Sequence, residues 1–119
     1  MRIELDFPPA DLFPNRANGK HWGSVYAKKK AYKEACQWAT KAQIRPLEAS
    51  KRIALTLTYL MPDGRHRDVD NLLAASKAGL DGMAEVLGVN DKIFEPLTVK
   101  RVYKAPAAKL IVELEICND

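Results

Sequence analysis

Arg52-Ile53-Ala54-Leu55-Thr56-Leu57-Thr58-Tyr59-Leu60-Met61 runs through Pro62-Asp63-Gly64 into Asp68-Val69-Asp70-Asn71-Leu72, and the fold class is decided across that junction. In the first ten residues Ile53, Leu55, Leu57 and Tyr59 alternate with smaller residues, the period of two that lays one face of a strand on a core. Pro62-Asp63-Gly64 has the composition of a turn. From Asp68 to Leu87 the residues Val69, Leu72, Leu73, Ser76, Leu80, Met83, Ala84 and Leu87 recur at helical spacing. Gly88 stands where a helix is closed by a left-handed residue.

Outward from this strand–turn–helix unit, residues 2–7 (Arg-Ile-Glu-Leu-Asp-Phe) alternate strictly and predict another strand, ended by Pro8 and Pro9. Ala10 to Gly23 reads as a long loop, and a helix is predicted from about Ser24 to Gln43, with Tyr32, Ala35, Cys36, Ala39 and Gln43 on one stripe and Pro46 beyond its end. Downstream, strands at about Leu97–Lys104 and Lys109–Cys117 are joined by Ala105-Pro106-Ala107-Ala108, short enough for a hairpin. The order is β-α-β-α-β-β: an α+β fold, a small mixed β-sheet packed against two helices, in a single domain over residues 1–119.

Composition narrows the function. The chain of 119 residues is 47% hydrophobic and 29% charged, ordinary for one globular core, and its apolar runs fall far short of the roughly 20 residues that cross a bilayer. No membrane association is expected. Met1-Arg2-Ile3-Glu4-Leu5-Asp6 lacks a signal-peptide core, and Cys36 and Cys117 lack zinc-site spacing, so reduced thiols in a cytoplasmic protein are expected. The 19 Lys and Arg against 15 Asp and Glu give a net charge of +4, which permits a polyanionic partner. That charge is unevenly placed. No acid occurs from Leu12 to Lys33, whereas Arg16, Lys20, Lys28, Lys29, Lys30 and Lys33 do, interleaved with His21, Trp22, Tyr26 and Tyr32. Lysines near a helix start oppose its dipole, so Lys28, Lys29 and Lys30 gain nothing locally and point to an anionic partner. His21 and Trp22 suit stacking on an unpaired base; Trp22 equally suits anchoring the loop to the core.

The acids gather in the middle. Two residues turn a helix by about 200°, so Asp68 and Asp70 converge only if Asp68 is the N-cap and Asp70 lies in the first turn. Asp70, Lys77 and Asp81 then share a face, with Lys77 and Asp81 paired at i,i+4, and Asn90-Asp91 follows in a polar loop. Oxygen ligands of this kind suit Mg²⁺, or Mn²⁺, in metal-assisted phosphodiester hydrolysis, with Lys77 adding charge where negative charge develops. Arg65 and Arg67 beside the acids suit the flanking phosphates. Plainer roles stand beside these: Asp68 as a cap, Asp70 complementing the helix dipole, Lys77–Asp81 as a solvated ion pair. Gly79 and Gly82 allow close approach of a strand, a partner subunit or the chain's own core.

Taken together, Met61-Pro62-Asp63-Gly64-Arg65-His66-Arg67-Asp68-Val69-Asp70-Asn71-Leu72, then Lys77-Ala78-Gly79-Leu80-Asp81, then Asn90-Asp91, resembles the RusA family of Holliday junction resolvases, small endodeoxyribonucleases common in prophages. Phe7-Pro8-Pro9, Pro14-Asn15-Arg16 and His21-Trp22 resemble the family's opening segment. The resemblance implies a Mg²⁺-dependent homodimer that cuts four-way DNA junctions symmetrically. It places the catalytic acids and metal ligands on Asp68, Asp70 and Asp91, the catalytic lysine on Lys77, and a DNA-binding arginine on Arg67; with it, Arg65, Asn15, Arg16, Lys20, His21, Trp22, Lys28, Lys29 and Lys30 are expected to contact DNA. The chain departs from the pattern twice: Lys77 follows Asp70 by seven residues where the best-known member has four, and Asn90 stands where the family often has Asp. The rival expectations are a non-catalytic DNA-binding phage protein and a metal-dependent phosphoesterase acting on flap DNA or nucleotides.

Overall fold

The computed structural model describes residues 1–14, 22–48 and 52–117, the side chain of Trp22 excepted. Strand β1 (Arg2–Asp6) is followed by a 3-10 turn at Ala10–Leu12, helix α1 (Trp22–Gln43), strand β2 (Arg52–Leu60), helix α2 (Val69–Leu87), a 3-10 turn at Asp91–Ile93, and strands β3 (Phe94–Val102) and β4 (Lys109–Cys117). The four strands form one mixed sheet against two helices, the α+β architecture and element order predicted from the sequence.

The sheet order is β1-β4-β2-β3, with β2 and β3 parallel and β4 antiparallel to both β1 and β2. The expected hairpin between the last two strands is therefore not formed, and β3 begins three residues earlier than expected. Composition explains the swap. β4 buries Leu110, Ile111, Val112 and Leu114 and suits a central position, whereas β3, with Glu95, Lys100 and Arg101, suits an edge that charge protects from further pairing. The crossover through α2 sets β3 beside β2, and the 103–108 connection then passes over the carboxyl end of β2, where the Ala105 N–H donates to the Met61 carbonyl at 2.9 Å and the Lys104 N–H to the Asp63 carbonyl at 3.0 Å. At the opposite edge the side-chain amide of Gln43 acts as a strand partner for β1, accepting from the Glu4 N–H and donating to the Glu4 carbonyl, both at 2.7 Å.

One face of the sheet carries the core: Ile3 and Leu5 of β1, Ile53, Leu55, Leu57 and Tyr59 of β2, and Leu110, Val112 and Leu114 of β4, packed on Tyr32 and Cys36 of α1 and on Leu72, Met83 and Leu87 of α2. The expected alternation along β2 is complete, every second residue being buried. Gly88 closes α2 at φ 75°, its N–H donating to the carbonyls of Ala84 and Glu85. Cys36 is a buried free thiol and Cys117 a half-buried one. Among the described residues no helix is long and apolar enough to cross a membrane.

Gly79 and Gly82 serve the chain's own packing. A β-carbon on Gly79 would lie 2.6 Å from Tyr32 Cε2 and 2.7 Å from Cys36 Sγ, and one on Gly82 would lie 2.7 Å from the Lys33 carbonyl oxygen. At Gly82 the obstacle is backbone, which cannot swing aside. Gly82→Ala should therefore cost about 1–3 kcal/mol of stability, overriding the gain of about 1 kcal/mol that Ala normally brings to a helix interior; chemical denaturation of the two proteins measures the sign.

Candidate active site

The carboxyl end of β2 and the amino end of α2 meet at residues 61–71, and the acid-rich segment lies across that corner. Asp68 is the N-cap of α2 in extended geometry (φ −68°, ψ 142°), and its carbonyl accepts from the Leu72 N–H at 3.1 Å. Its carboxylate does no capping. It lies 3.1 Å from His66 Nε2 with the side chain 69% exposed. The plain capping role thus accounts for the backbone of Asp68 and leaves its oxygens facing outward. Asp70 occupies the first turn and is exposed, as the spacing predicted.

Arg67 is the best-anchored cation of the corner. Its guanidinium forms a fork with Asp63, NH1 to Oδ1 at 2.9 Å and NH2 to Oδ2 at 3.1 Å, and its side chain is only 16% exposed. Arg101 of β3 donates to the Arg67 carbonyl at 2.8 Å. The hydrogen bond from Arg67 holds the Asp63 carboxyl below the usual carboxylate range against an opposing push from desolvation. Asp63 and Arg101 were not recognised as part of the site in the sequence. The first sits in what reads only as a turn, and the second joins the site through pairing of β3 with β2, which no local pattern carries. The Arg65 N–H is tied to Asp63 Oδ1 at 3.1 Å, and the charge of Arg65 adds to that of Arg67 in favouring the Asp63 carboxylate.

Lys77, on the exposed stripe of α2 that carries Asp70, reaches Asp81 Oδ1 at 3.3 Å and Asp91 Oδ2 at 3.9 Å. The lysine thereby links the helix to the 3-10 turn where Asp91 begins and where the Asn90 side chain accepts from the Lys92 N–H at 2.9 Å. Asn90 therefore works here as a cap. Among the described residues no three His, Cys, Asp or Glu side chains are gathered in a group that could hold a metal ion, so the structure shows no shared cage of Asp68, Asp70 and Asp91. The reason is local: Asp68 faces His66, and Asp91 faces Lys77, seven residues along the helix from Asp70. By donor chemistry Asp68 and Asp70 still suit a hard divalent cation, which takes one or two carboxylates and completes its shell with water and phosphate oxygens.

The basic segment divides. Lys28 pairs with Asp11. Lys29 and Lys30 are exposed beside Tyr26 and have no ion-pair partner among the described residues, and Lys33 is held by Glu85 at 2.7 Å. Only two of the three consecutive lysines are thus available to a partner. Asn15, Arg16, Lys20 and His21, together with the Trp22 side chain, lie outside the described residues.

Compared with known families, residues 13–115 match the family model described as Endodeoxyribonuclease RusA. No curated protein matches the chain.

The fork makes a pH prediction. Because the folded-state pKa of Asp63 is lowered, its contribution is complete above the ordinary carboxylate value of about 4 and is lost as pH falls through the lowered one. Arg67→Lys, which cannot form the fork, should move the Asp63 midpoint back toward the ordinary value in a ¹³C carboxyl titration.

Proposed function

Because the chain belongs to the RusA endodeoxyribonuclease family, we propose that it is a structure-selective nuclease that resolves Holliday junctions by symmetric cuts, acting as a homodimer with Mg²⁺. The observation that carries the reading is Asp68: an N-cap whose carboxylate is left unused by the helix and turned outward to His66, on a cleft that Arg65 and the anchored Arg67 also line. A purely structural corner gains nothing from that arrangement. A corner that receives a phosphodiester needs cations to seat the strand and oxygen donors to hold a metal beside it.

In this reading Asp68, Asp70 and Asp91, which lie apart in this structure with Asp68 on His66 and Asp91 on Lys77, would draw together to hold Mg²⁺ or Mn²⁺, which would neutralise phosphate charge and lower the pKa of an attacking water. The residues of the chain do the rest. Arg67, oriented by Asp63, and the exposed Arg65 receive phosphates flanking the scissile one. Lys77, an exposed point charge between Asp81 and Asp91, would balance the negative charge that develops on the leaving oxygen. Lys29 and Lys30 extend the cationic surface along α1 to receive a DNA arm, and Asn15, Arg16, Lys20, His21 and Trp22 are assigned as DNA contacts by their chemistry. A dimer suits the substrate, since a four-way junction is nearly two-fold and a C2 pair sets identical sites on opposing strands.

Asp70→Asn should lower cleavage of a synthetic four-way junction in Mg²⁺ by at least ~10²-fold and leave gel-shift affinity equal or tighter, because one repulsive charge is gone; undiminished cutting would remove Asp70 from the site. A panel of labelled junction, flap, duplex and mononucleotide substrates, run beside it, distinguishes resolution from the phosphoesterase and binding-only alternatives. Light scattering in solution should give the mass of two chains.

For the basic helix, Lys29→Ala with Lys30→Ala should flatten the salt dependence of junction binding by up to ~2 units of log–log slope, whereas Lys28→Ala should barely change it. The difference follows from the Lys28–Asp11 pair.

A further inference from the structure

A cleft of about 560 Å³ opens beside the acidic corner, lined by Phe7 and Phe13, by residues 65–68 and by Met61 and Pro62. Both phenylalanines are only half-buried. Their rings are stacked, with centroids 6.2 Å apart and planes 22° from parallel. The edge-on contact of Phe7 with the buried Tyr59, at 6.2 Å and 85°, sets the plane of the Phe7 ring. The guanidinium carbon of Arg67 lies 5.9 Å from the Phe7 ring centroid and is itself held by Asp63. Two aromatic faces and a cation are thus oriented before anything binds, at a site that also contains Asp68.

The two halves of this cleft ask for different chemistry. An apolar ligand would not need guanidinium groups at its rim, and a bare phosphate would not need aromatic rings. A nucleotide unit offers a flat heterocycle for the rings and a phosphate for the arginines. The volume falls within the roughly 300–1,000 Å³ of small-ligand sites, which excludes a stacked duplex. Bases inside a duplex show a protein only their edges, so the phenylalanine faces can be used only by a base that has left the stack. Branch points offer such bases at the lowest cost, because stacking there is already interrupted.

We propose that this cleft receives one unstacked nucleobase of the junction strand, flanking the phosphodiester at Asp68, and packs it against the stacked Phe7–Phe13 pair with its phosphate on Arg65 and Arg67. The proposal rests on the nuclease reading above and extends it by assigning Phe7 and Phe13 as substrate contacts. Asn71, also on the lining, supplies an amide that both donates to and accepts from a base edge.

The test uses the full chain in EDTA, so that no strand is cut, with four-way junctions carrying 2-aminopurine at single positions around the branch point. Binding should raise the fluorescence several-fold at one or two of those positions. Phe7→Leu and Phe13→Leu, which keep apolar volume and lose the aromatic face, should abolish that rise and weaken junction binding roughly 5- to 30-fold. If a gel shift shows the junction bound while every labelled position stays silent, the base site is overturned and the nuclease reading stands. If no junction binds, both fall. The wild-type fluorescence decides even if a variant folds poorly.

Discussion

The hydroxyl pair of Tyr59 and Ser76 determines where everything functional lies. Tyr59 is fully buried on β2, and its oxygen sits 2.7 Å from Ser76 Oγ on α2, which in turn bonds the Leu72 carbonyl at 2.9 Å. A buried hydroxyl without a partner is costly, so Tyr59 needs an acceptor on α2, and Ser76, itself satisfied within its helix, provides it at the observed seating of α2 on the sheet. Desolvation pushes the Tyr59 phenol above its ordinary value, so it remains a neutral donor. That same rotation puts Asp70 and Lys77 outward and brings Gly79 and Gly82 against α1. It also carries the helix start to the end of β2, where Asp63, Arg67 and Asp68 assemble.

From this anchor the molecule divides into a dry side and a charged end. The dry side is held by volume: the glycine crossing admits Tyr32 and Cys36, and burial pushes the Cys36 thiol up to about 11, so it stays protonated within the core. The charged end is held by ion pairs in which one partner is fixed and the other exposed. Arg67 with Asp63 is the firm pair, while Lys77 with Asp81 and Asp91 remains exposed and adaptable. Firmness beside adaptability suits a site that must hold a strand in place and still respond as charge develops.

Much of the fold was legible because its signals are local. The alternation in β1 and β2, the stripe along α2 and the glycine that closes it are each set by neighbours a few residues apart, and the structure follows them. The strand order was not legible. A four-residue connector after β3 reads as a hairpin, yet β4 takes the central place because it has more apolar surface to bury than β3. The site followed the same division. The positions of Asp68 and Asp70 at the helix start were readable from spacing, whereas the Asp63–Arg67 fork and the Arg101 bond depend on a turn and on a strand pairing made at a distance.

The amino-acid sequence alone determined which segments become strands and helices, the face each turns inward, and the family to which the pattern of acids and basic residues belongs, because these depend on periodicity and on residue chemistry over short separations. Only the tertiary structure decided which strand is central, which lysines are already paired, where the oxygens of Asp68 and Asp91 point, and that Phe7 and Phe13 share a cleft with Arg67. The strand order and the contacts of Arg67 with Phe7 and Arg101 depend on groups distant in sequence meeting on the folded sheet, where burial and charge neutralisation are settled jointly and no single stretch of chain contains the answer.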